Sequence, residues 1–182
     1  MTSIYRLGYK EEAEYLKFAN DDDLHVCLKD FDGSPLTKVK MIEVNRLLLN
    51  GQDQNISDTD VAYLLDIILI LNEKAKKALD PAIKNYGEWI GVDAENKKFH
   101  AFNVICNLDA FDLENSKCNF SPRTGELLNV DKYFLRYYSI NEEPIFKLKN
   151  VRCSPIFVSK EFKSRIEDTE LSGFAFEEVD LL

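Results

Sequence analysis

The stretch that most constrains the fold is DIILILNEKAKKALDPAIKNYGEWIGV, residues 66–92. Its first part, Asp66–Leu71, is a short apolar run typical of a buried strand. Asn72 stands where a helix N-cap is expected, and the residues after it are helical in character up to Gly87, which predicts the end of the helix. Glu88–Val92 predicts the next strand. The stretch therefore predicts a strand, a capped helix and a second strand in succession.

A similar order of elements occurs near the C-terminus. Pro155–Val158 predicts a strand and Ser159 an N-cap, followed by the helix KEFKSRIEDTEL. Gly173 then predicts the end of this helix, and FAFEEV predicts a final strand. We interpret the two stretches as two degenerate strand–helix–strand units in the C-terminal part. Because strands outnumber helices, the predicted fold class is α+β, a mainly antiparallel sheet with helices packed on one face.

The rest of the chain is less regular. The polar segment Asn50–Asp60 is rich in turn-forming residues. It predicts a boundary between an N-terminal subdomain or extension, residues 1–60, and a C-terminal α+β core, residues 61–182. Within the N-terminal part, Glu11–Ala19 predicts a short helix and Leu24–Leu28 a strand.

Local patterns predict further turns and strands. FDGSPL at Phe31–Leu36 is a turn, since Asp and Gly permit unusual backbone angles and Pro fixes its own. Phe99–Cys106 alternates apolar residues as a strand does, and Asp93–Lys97 before it predicts a hairpin turn. Tyr133–Ile140 and Ile145–Leu148 predict another antiparallel pair.

Composition limits the classes of function. The 182 residues carry 32 acidic and 23 basic side chains, a formal net charge of −9 at pH 7. This acidity disfavours binding to nucleic acid or to an anionic membrane and favours a basic partner, although it also serves solubility alone. The N-terminal residues lack the apolar core of a signal peptide, and the four cysteines are widely separated. We therefore expect a cytoplasmic protein with reduced thiols.

The usual sequence signatures of catalysis are absent. The chain has no phosphate-binding loop, no dinucleotide fingerprint, no H-E-x-x-H and no G-x-S-x-G. We predict a protein that is not an enzyme and that uses no cofactor and no metal. The alternative is a hydrolase-like cleft formed by His100, Asp109 and Asp112. A separate hypothesis is that Asp109, Asp112 and Ser116, spaced to share a helical face, hold a divalent cation. The simpler interpretation makes His100 structural, has Asp109 cap a turn of helix, and has Asp112 and Ser116 satisfy nearby backbone donors.

Two acidic clusters and one aromatic pair are candidates for partner binding. An acidic cluster would dock the Lys or Arg side chains of a partner, or it would be an ordinary solvated surface. An exposed aromatic pair would anchor an interface, because Trp and Tyr dominate binding hot spots. The candidate residues are Asp21, Asp22, Asp23, Glu177, Glu178, Tyr137 and Tyr138.

The order of motifs along the chain also resembles a known family. The motifs are FDGSPL at 31–36, YGE at 86–88, NVICNLDAFDLENS at 103–116, IFKL at 145–148, VSKEFKSRI at 158–166 and LSGFAFEEV at 171–179. Together they resemble the Myxococcus-type immunity protein family of bacterial polymorphic toxin systems, formerly a domain of unknown function. The resemblance covers nearly the whole chain.

The resemblance implies a cytosolic protein encoded beside a secreted toxin, and it carries over no catalytic residues. We therefore expect an immunity protein that binds a cognate toxin and blocks it molecule for molecule. The acidity of the chain suits a basic toxin such as a nuclease. The alternatives are the hydrolase-like enzyme and a phage or prophage accessory protein that binds another host factor.

Overall fold

The computed structural model describes residues 3–37, 41–47, 58–94 and 97–182. Among these residues it contains a closed six-stranded barrel, a six-stranded sheet, a two-stranded ribbon and three α-helices. Most of its regular secondary structure is β-strand. The predicted α+β class is therefore confirmed.

The barrel brings together strands from both halves of the chain. Its strands are β2 (Glu14–Phe18), β3 (Met41–Arg46), β4 (Val61–Tyr63), β5 (Leu69–Leu71), β6 (Gly87–Ala94) and β7 (Lys97–Val104). The order around the barrel is β2-β3-β6-β7-β5-β4, and β4 closes it by pairing in parallel with β2. The β6–β7 register runs to Ala94 opposite Lys97. This confirms the hairpin predicted at Asp93–Lys97, whose residues 95–96 lie outside the described part.

The six-stranded sheet places the first and last described strands side by side. Its members are β1 (Ile4–Tyr9), β8 (Asn107–Leu108), β11 (Phe134–Leu135), β12 (Ile145–Leu148), β13 (Phe157–Ser159) and β14 (Phe174–Leu181), and the ribbon consists of β9 (Lys117–Phe120) and β10 (Leu127–Lys132). The sheet order is β11-β14-β1-β13-β12-β8. β1 is antiparallel to both of its neighbours, whereas β11 and β8 at the edges pair in parallel.

Three helices complete the structure: α1 (Asp21–Asp30), α2 (Glu73–Ile83) and α3 (Lys160–Asp168). α2 and α3 begin at the predicted caps, since Asn72 Oδ1 accepts from Ala75 N at 2.9 Å and Ser159 Oγ accepts from Phe162 N at 3.2 Å. α2 packs on β5 and β7 of the barrel, α3 packs on β1 and β13 of the sheet, and the two helices touch each other. The predicted placement on one face of one sheet is not confirmed, and the degenerate repeat stays a prediction.

Replacing Ser159 with alanine is expected to lower the free energy of unfolding by about 1 kcal/mol, the usual effect of losing an N-cap. The Phe162 amide would lose its partner inside the protein, where both residues are buried. Urea unfolding measures the change. Ser159→Asn keeps an acceptor at the cap and serves as the matched variant, so equal losses for the two substitutions would contradict a capping role.

Two predictions for the N-terminal part are wrong. Glu11–Ala19 contains strand β2 rather than a helix, and Leu24–Leu28 lies in helix α1 rather than in a strand. The deciding feature is Asn20, whose side chain caps α1 by accepting from Asp22 N at 3.0 Å. Leu24, Val26 and Leu28 alternate by chance, whereas Cys27 and Phe31 form the buried positions at helical spacing.

The predicted pairing of two C-terminal strands is also wrong, and the predicted domain boundary falls largely on residues that the structure does not describe. Tyr133–Ile140 and Ile145–Leu148 do not pair with each other: β11 pairs with β14, and β12 pairs with β13 and β8. Most of the boundary segment Asn50–Asp60 lies outside the described residues. The division at residue 60 stays a prediction, while the described strands on either side of it pair in the barrel and in the sheet.

The core explains the continuous apolar run that follows Asp66. Leu69 and Leu71 face the helices in the cluster between barrel and sheet, whereas Ile68 and Ile70 face the interior of the barrel. Strand β5 is thus buried on both sides, which removes the polar alternation of a half-exposed strand. Cys27 and Phe31 of the α1 region contribute to the cluster inside the barrel. Ile4 and Val179 belong to a third cluster on the sheet.

The four cysteines are free thiols in different environments. Cys27 is buried, Cys106 and Cys118 are half-buried, and Cys153 is exposed. Burial raises the pKa of Cys27 to about 12 and that of Cys106 to about 11, with nearby carboxylates adding to both shifts. Within the described ranges, no helix combines the length and the apolar character needed to cross a bilayer.

Candidate functional site

A cleft of about 500 Å³ opens between the six-stranded sheet and the barrel. Two small residues, Gly8 and Ala175, lie opposite each other on β1 and β14 and line it. A Cβ atom built on Gly8 would touch only Ala175, with the nearest contact at 3.7 Å. The sheet therefore contributes a shallow floor, and a side chain can enter above it.

Three tyrosines from three strands line the cleft: Tyr9, Tyr15 and Tyr63. The Tyr63 ring packs between the other two, with ring centres 5.0 Å from Tyr9 and 5.3 Å from Tyr15. The hydroxyl of Tyr9 donates to the backbone oxygen of Ile68 at 3.0 Å, which ties the sheet to the barrel. The edge-to-face contact with Tyr9 and the tilted contact with Tyr15 fix the ring positions, so the aromatic surface is preorganised.

Charged side chains complete the cleft lining: Arg6, Asp66 and Glu177. Arg6 Nη2 lies 3.4 Å from Asp66 Oδ2, and Arg6 Nη1 lies 3.7 Å from Glu177 Oε2. Both distances are long for charge-assisted hydrogen bonds. The Arg6 guanidinium therefore forms two long ion pairs, and the three side chains together carry one net negative charge.

The phenols of Tyr9 and Tyr63 stay protonated at neutral pH. Burial raises the pKa of Tyr63 above its ordinary value, and the negative charge of Asp66 raises it further. The same two causes, burial first, raise the pKa of Tyr9. Neutral phenol hydroxyls both donate and accept hydrogen bonds. The cleft can therefore form hydrogen bonds with a polar or charged group.

Among the predicted partner-binding residues whose side chains the structure describes, Glu177 lines the cleft. Glu178, the next residue on β14, is paired with Tyr5 of β1 and points to the other face of the sheet. Tyr137 and Tyr138 lie in a 3-10 turn, Tyr137–Ser139, and their residues are 49% and 75% exposed. The Tyr137 amide donates to the carbonyl of Leu182, so this turn sits beside the end of β14.

The acidic cluster Asp21, Asp22 and Asp23 forms the first turn of α1. Asp22 is exposed and Asp23 half-buried, and the side chain of Asp21 lies outside the described part. Carboxylates in the first turn complement the helix dipole, which gives this cluster a local stabilising role. Asp22 and Asp23 do not line the cleft.

The alternative catalytic set has separate partners. His100 contacts Glu73 through Nε2 at 2.8 Å and Lys76 through Nδ1 at 3.2 Å, both on α2. Asp109 accepts from Arg136 at 2.7 Å. Asp112 and Ser116 satisfy local donors: Asp112 accepts from the amides of residues 114 and 115, and Ser116 Oγ accepts from the amide of Phe134. The prediction that Asp112 and Ser116 satisfy nearby backbone donors is confirmed, whereas Asp109, predicted to cap a turn of helix, forms an ion pair with Arg136.

No metal centre is found among the residues that the structure describes. Nowhere in those ranges do three or more His, Cys, Asp or Glu side chains converge with the spacing that a metal ion needs.

Sequence reasoning missed most of the cleft. The residues missed are Arg6, Tyr9, Tyr15, Tyr63 and Asp66. The assignment of a helix to the segment around Tyr15 concealed the period-two alternation of β2. The signal that was present is the recurrence of tyrosine at short intervals, but the cleft depends on pairing between distant strands, which spacing does not reveal.

A second polar cluster holds the predicted FDG turn in place. Asn107 Nδ2 donates to the carbonyl of Gly33 at 2.7 Å, and Asn103 Nδ2 donates to that of Ser34 at 2.8 Å. Gly33 has a φ of +95°, as a turn glycine requires. Lys147, which is 1% exposed, donates from Nζ to the carbonyl of Phe31 at 2.6 Å. The turn is thus clamped by side chains from both the barrel and the sheet.

Lys147 is expected to make stability rise with pH. Burial lowers its pKa from 10.5 to about 8. Between these values the unfolded chain keeps a proton that the folded protein releases, so the unfolding free energy increases with pH, by roughly 3 kcal/mol in total. Urea unfolding of the protein and of Lys147→Met across this window measures the effect. A stability difference between the two that does not change with pH would contradict it.

The fold and the cleft define a class: an α+β protein whose candidate site is a preorganised recognition cleft with aromatic walls and charged residues. Residues 89–180, just over half of the chain, match the model of the Immunity protein family (Imm11). The chain belongs to this family, as the motifs in its sequence indicated. The matched region runs from β6 into β14 and includes the cleft residues Ala175 and Glu177. No curated protein matches the chain.

Proposed function

We propose that this protein binds a cognate bacterial toxin and neutralises it by occupying its surface, one molecule for one. The observation that carries the proposal is the match of residues 89–180 to the immunity protein family. The toxin belongs to a polymorphic toxin system and acts inside the cell, so the immunity protein meets it in the cytoplasm.

The contacts of the titratable residues support binding rather than catalysis. His100 is held by Glu73 and Lys76, and Asp109 by Arg136. Hydrogen bonds within its own turn also lower the pKa of Asp112, with those from Asn115 the largest cause. A general base needs a free lone pair aimed at a substrate proton. These side chains serve the fold instead.

The charge of the protein supports a basic partner. With 32 acidic against 23 basic residues, the molecule attracts a positively charged surface and accelerates the encounter. A nuclease toxin, which needs a basic surface to hold its own substrate, fits this description. Raising the salt concentration is then expected to lower the association rate constant while changing the dissociation rate constant less.

Rescue by co-expression tests the proposal. The gene is expressed with the toxin-domain gene adjacent to it, and survival is compared with that of cells carrying an empty vector. We expect full rescue. Titration of the purified toxin with the purified protein should abolish toxin activity at a molar ratio near one. Death of the co-expressing cells, or inhibition far below equimolar protein, would remove blockade as the mechanism.

One double variant distinguishes toxin blockade from the rival function, a hydrolase-like enzyme. His100→Gln with Asp112→Asn removes the ionisable groups and keeps polar side chains of similar shape. Blockade predicts unchanged rescue. Lost rescue with binding to the toxin preserved would favour the enzyme.

The contact surface on this protein is a further part of the proposal. The acidic cluster of α1, the tyrosine pair and the carboxylates of β14 are three separate candidates. We test each with one double variant and expect the variant in the true interface to weaken toxin binding by at least about tenfold. The variants are Asp22→Lys/Asp23→Lys, Tyr137→Ala/Tyr138→Ala and Glu177→Lys/Glu178→Lys.

A further inference from the structure

We infer that the cleft between the sheet and the barrel is a socket for one lysine or arginine side chain of the toxin. This inference rests on the proposed function and specifies the site and the chemistry of the contact. It concerns the cleft of about 500 Å³ described above, a volume within the range of specific binding sites.

The shape of the cleft suits a long, slender side chain. Gly8 and Ala175 leave the sheet without bulk at the floor, since a Cβ atom on Gly8 would meet nothing closer than 3.7 Å. The ring centres of Tyr15 and Tyr63 lie 5.3 Å apart, so the two rings pack together. Their exposed surface can contact the aliphatic part of a lysine or arginine side chain. An inserted side chain would therefore find packing without displacing a core residue.

The charges of the cleft select a cation. Among the described residues, Arg6 is the one cation that pairs with Asp66 and Glu177, at 3.4 and 3.7 Å, which leaves one negative charge uncompensated among the three. The faces of aromatic rings are also electron-rich and attract cations. An incoming ammonium or guanidinium would bring the cleft to neutrality, whereas an anion would face two carboxylates.

Hydrogen-bonding capacity remains available for such a cation. Each contact to Arg6 uses one oxygen, Oδ2 of Asp66 and Oε2 of Glu177. The other oxygen of each carboxylate makes no hydrogen bond or ion pair with a residue in the described ranges. Lysine and arginine both carry several N–H donors, so either would use these acceptors.

The test uses small probes and needs no toxin. N-acetyl-arginine amide and N-acetyl-lysine amide are titrated into the isotope-labelled protein and followed by amide chemical shifts. We expect saturable shifts centred on Gly8 and Ala175, with a dissociation constant on the order of millimolar. N-acetyl-citrulline amide has the shape of the arginine probe without its charge and should bind at least about tenfold more weakly.

Two variants fix the location of the effect. Gly8→Leu fills the floor of the cleft and should abolish the shifts, whereas Gly91→Leu, at a glycine outside the cleft lining, should not. Equal binding of the citrulline probe, shifts centred elsewhere, or no shifts would overturn the inference.

The same variants separate this inference from the proposed function. If the unaltered protein fails to rescue cells from the toxin, the proposed function is wrong. If the unaltered protein and Gly8→Leu rescue equally well, the function stands and the cleft is not the toxin socket. Loss of rescue with Gly8→Leu alone, with folding preserved, supports both.

Discussion

Replacing Lys97 with methionine is expected to destabilise the protein by about 3 kcal/mol, near the lower end of the range for breaking a buried ion pair. The side chain of Glu14 on β2 is 0% exposed, and its two oxygens have different partners. Arg46 Nε donates to Oε1 at 2.6 Å, and Lys97 Nζ donates to Oε2 at 2.7 Å. Losing Lys97 leaves a buried carboxylate half-compensated, while the remaining pair with Arg46 moderates the cost.

The raised pKa of Lys97 reflects its hydrogen bonds to carboxylates. Burial alone would lower its pKa, but hydrogen bonds to Asp58 and Glu14 outweigh burial and raise it. The pair with Asp58 is exposed on the aspartate side and contributes little. The effect of the substitution therefore comes from Glu14.

Urea unfolding measures the loss, and two matched variants locate its cause. Lys98→Met removes the same charge from the neighbouring, exposed position on β7 and should change stability by less than about 0.5 kcal/mol. Adding Glu14→Gln to Lys97→Met removes the uncompensated charge and should restore much of the loss. Equal stabilities of the Lys97 and Lys98 variants would refute the argument.

Replacing Gly87 with alanine is expected to cost roughly 3 kcal/mol, because overpacking in a rigid core costs this much. A Cβ atom at this position would lie 2.2 Å from the carbonyl oxygen of Asn103 and 2.6 Å from Cζ of Phe102. The oxygen belongs to the backbone of the paired strand, which cannot swing away as a side chain does. The β6–β7 pair would have to separate where it begins.

Gly91 provides the control within the same strand. A Cβ atom there would meet only the side chain of Met41, at 4.0 Å. Gly91→Ala should therefore be close to neutral or slightly stabilising, because alanine restricts the unfolded chain. Thermal unfolding of both variants checks the contrast, and similar melting temperatures would show that the close approach at Gly87 is relieved without cost.

The parts of the fold that local chemistry determines could be predicted. Asn72 and Ser159 cap their helices as expected, since a cap depends on the residues within one turn of it. The burial of strand β5 could also be predicted, because the run after Asp66 consists of apolar residues. The turn at Gly33, with its positive φ, follows from the backbone freedom that glycine supplies at least steric cost.

The parts that depend on distant pairing could not be predicted. Leu24, Val26 and Leu28 alternate as a strand would, yet the cap at Asn20 commits them to a helix. Closure of the barrel by β2 and β4 follows from long-range packing that no short window contains. The cleft was missed for the same reason, because its tyrosines lie on strands that meet only in the folded molecule.

The position of β1 between β13 and β14 has a consequence for biosynthesis. A ribosome makes Ile4–Tyr9 long before Phe174–Leu181, so β1 cannot form its ladder with β14 until that later segment has emerged. Such late closure slows folding. Gly8 and Ala175 therefore come together only after residues 174–181 have left the ribosome, and a nascent chain that still lacks these residues has an incomplete cleft.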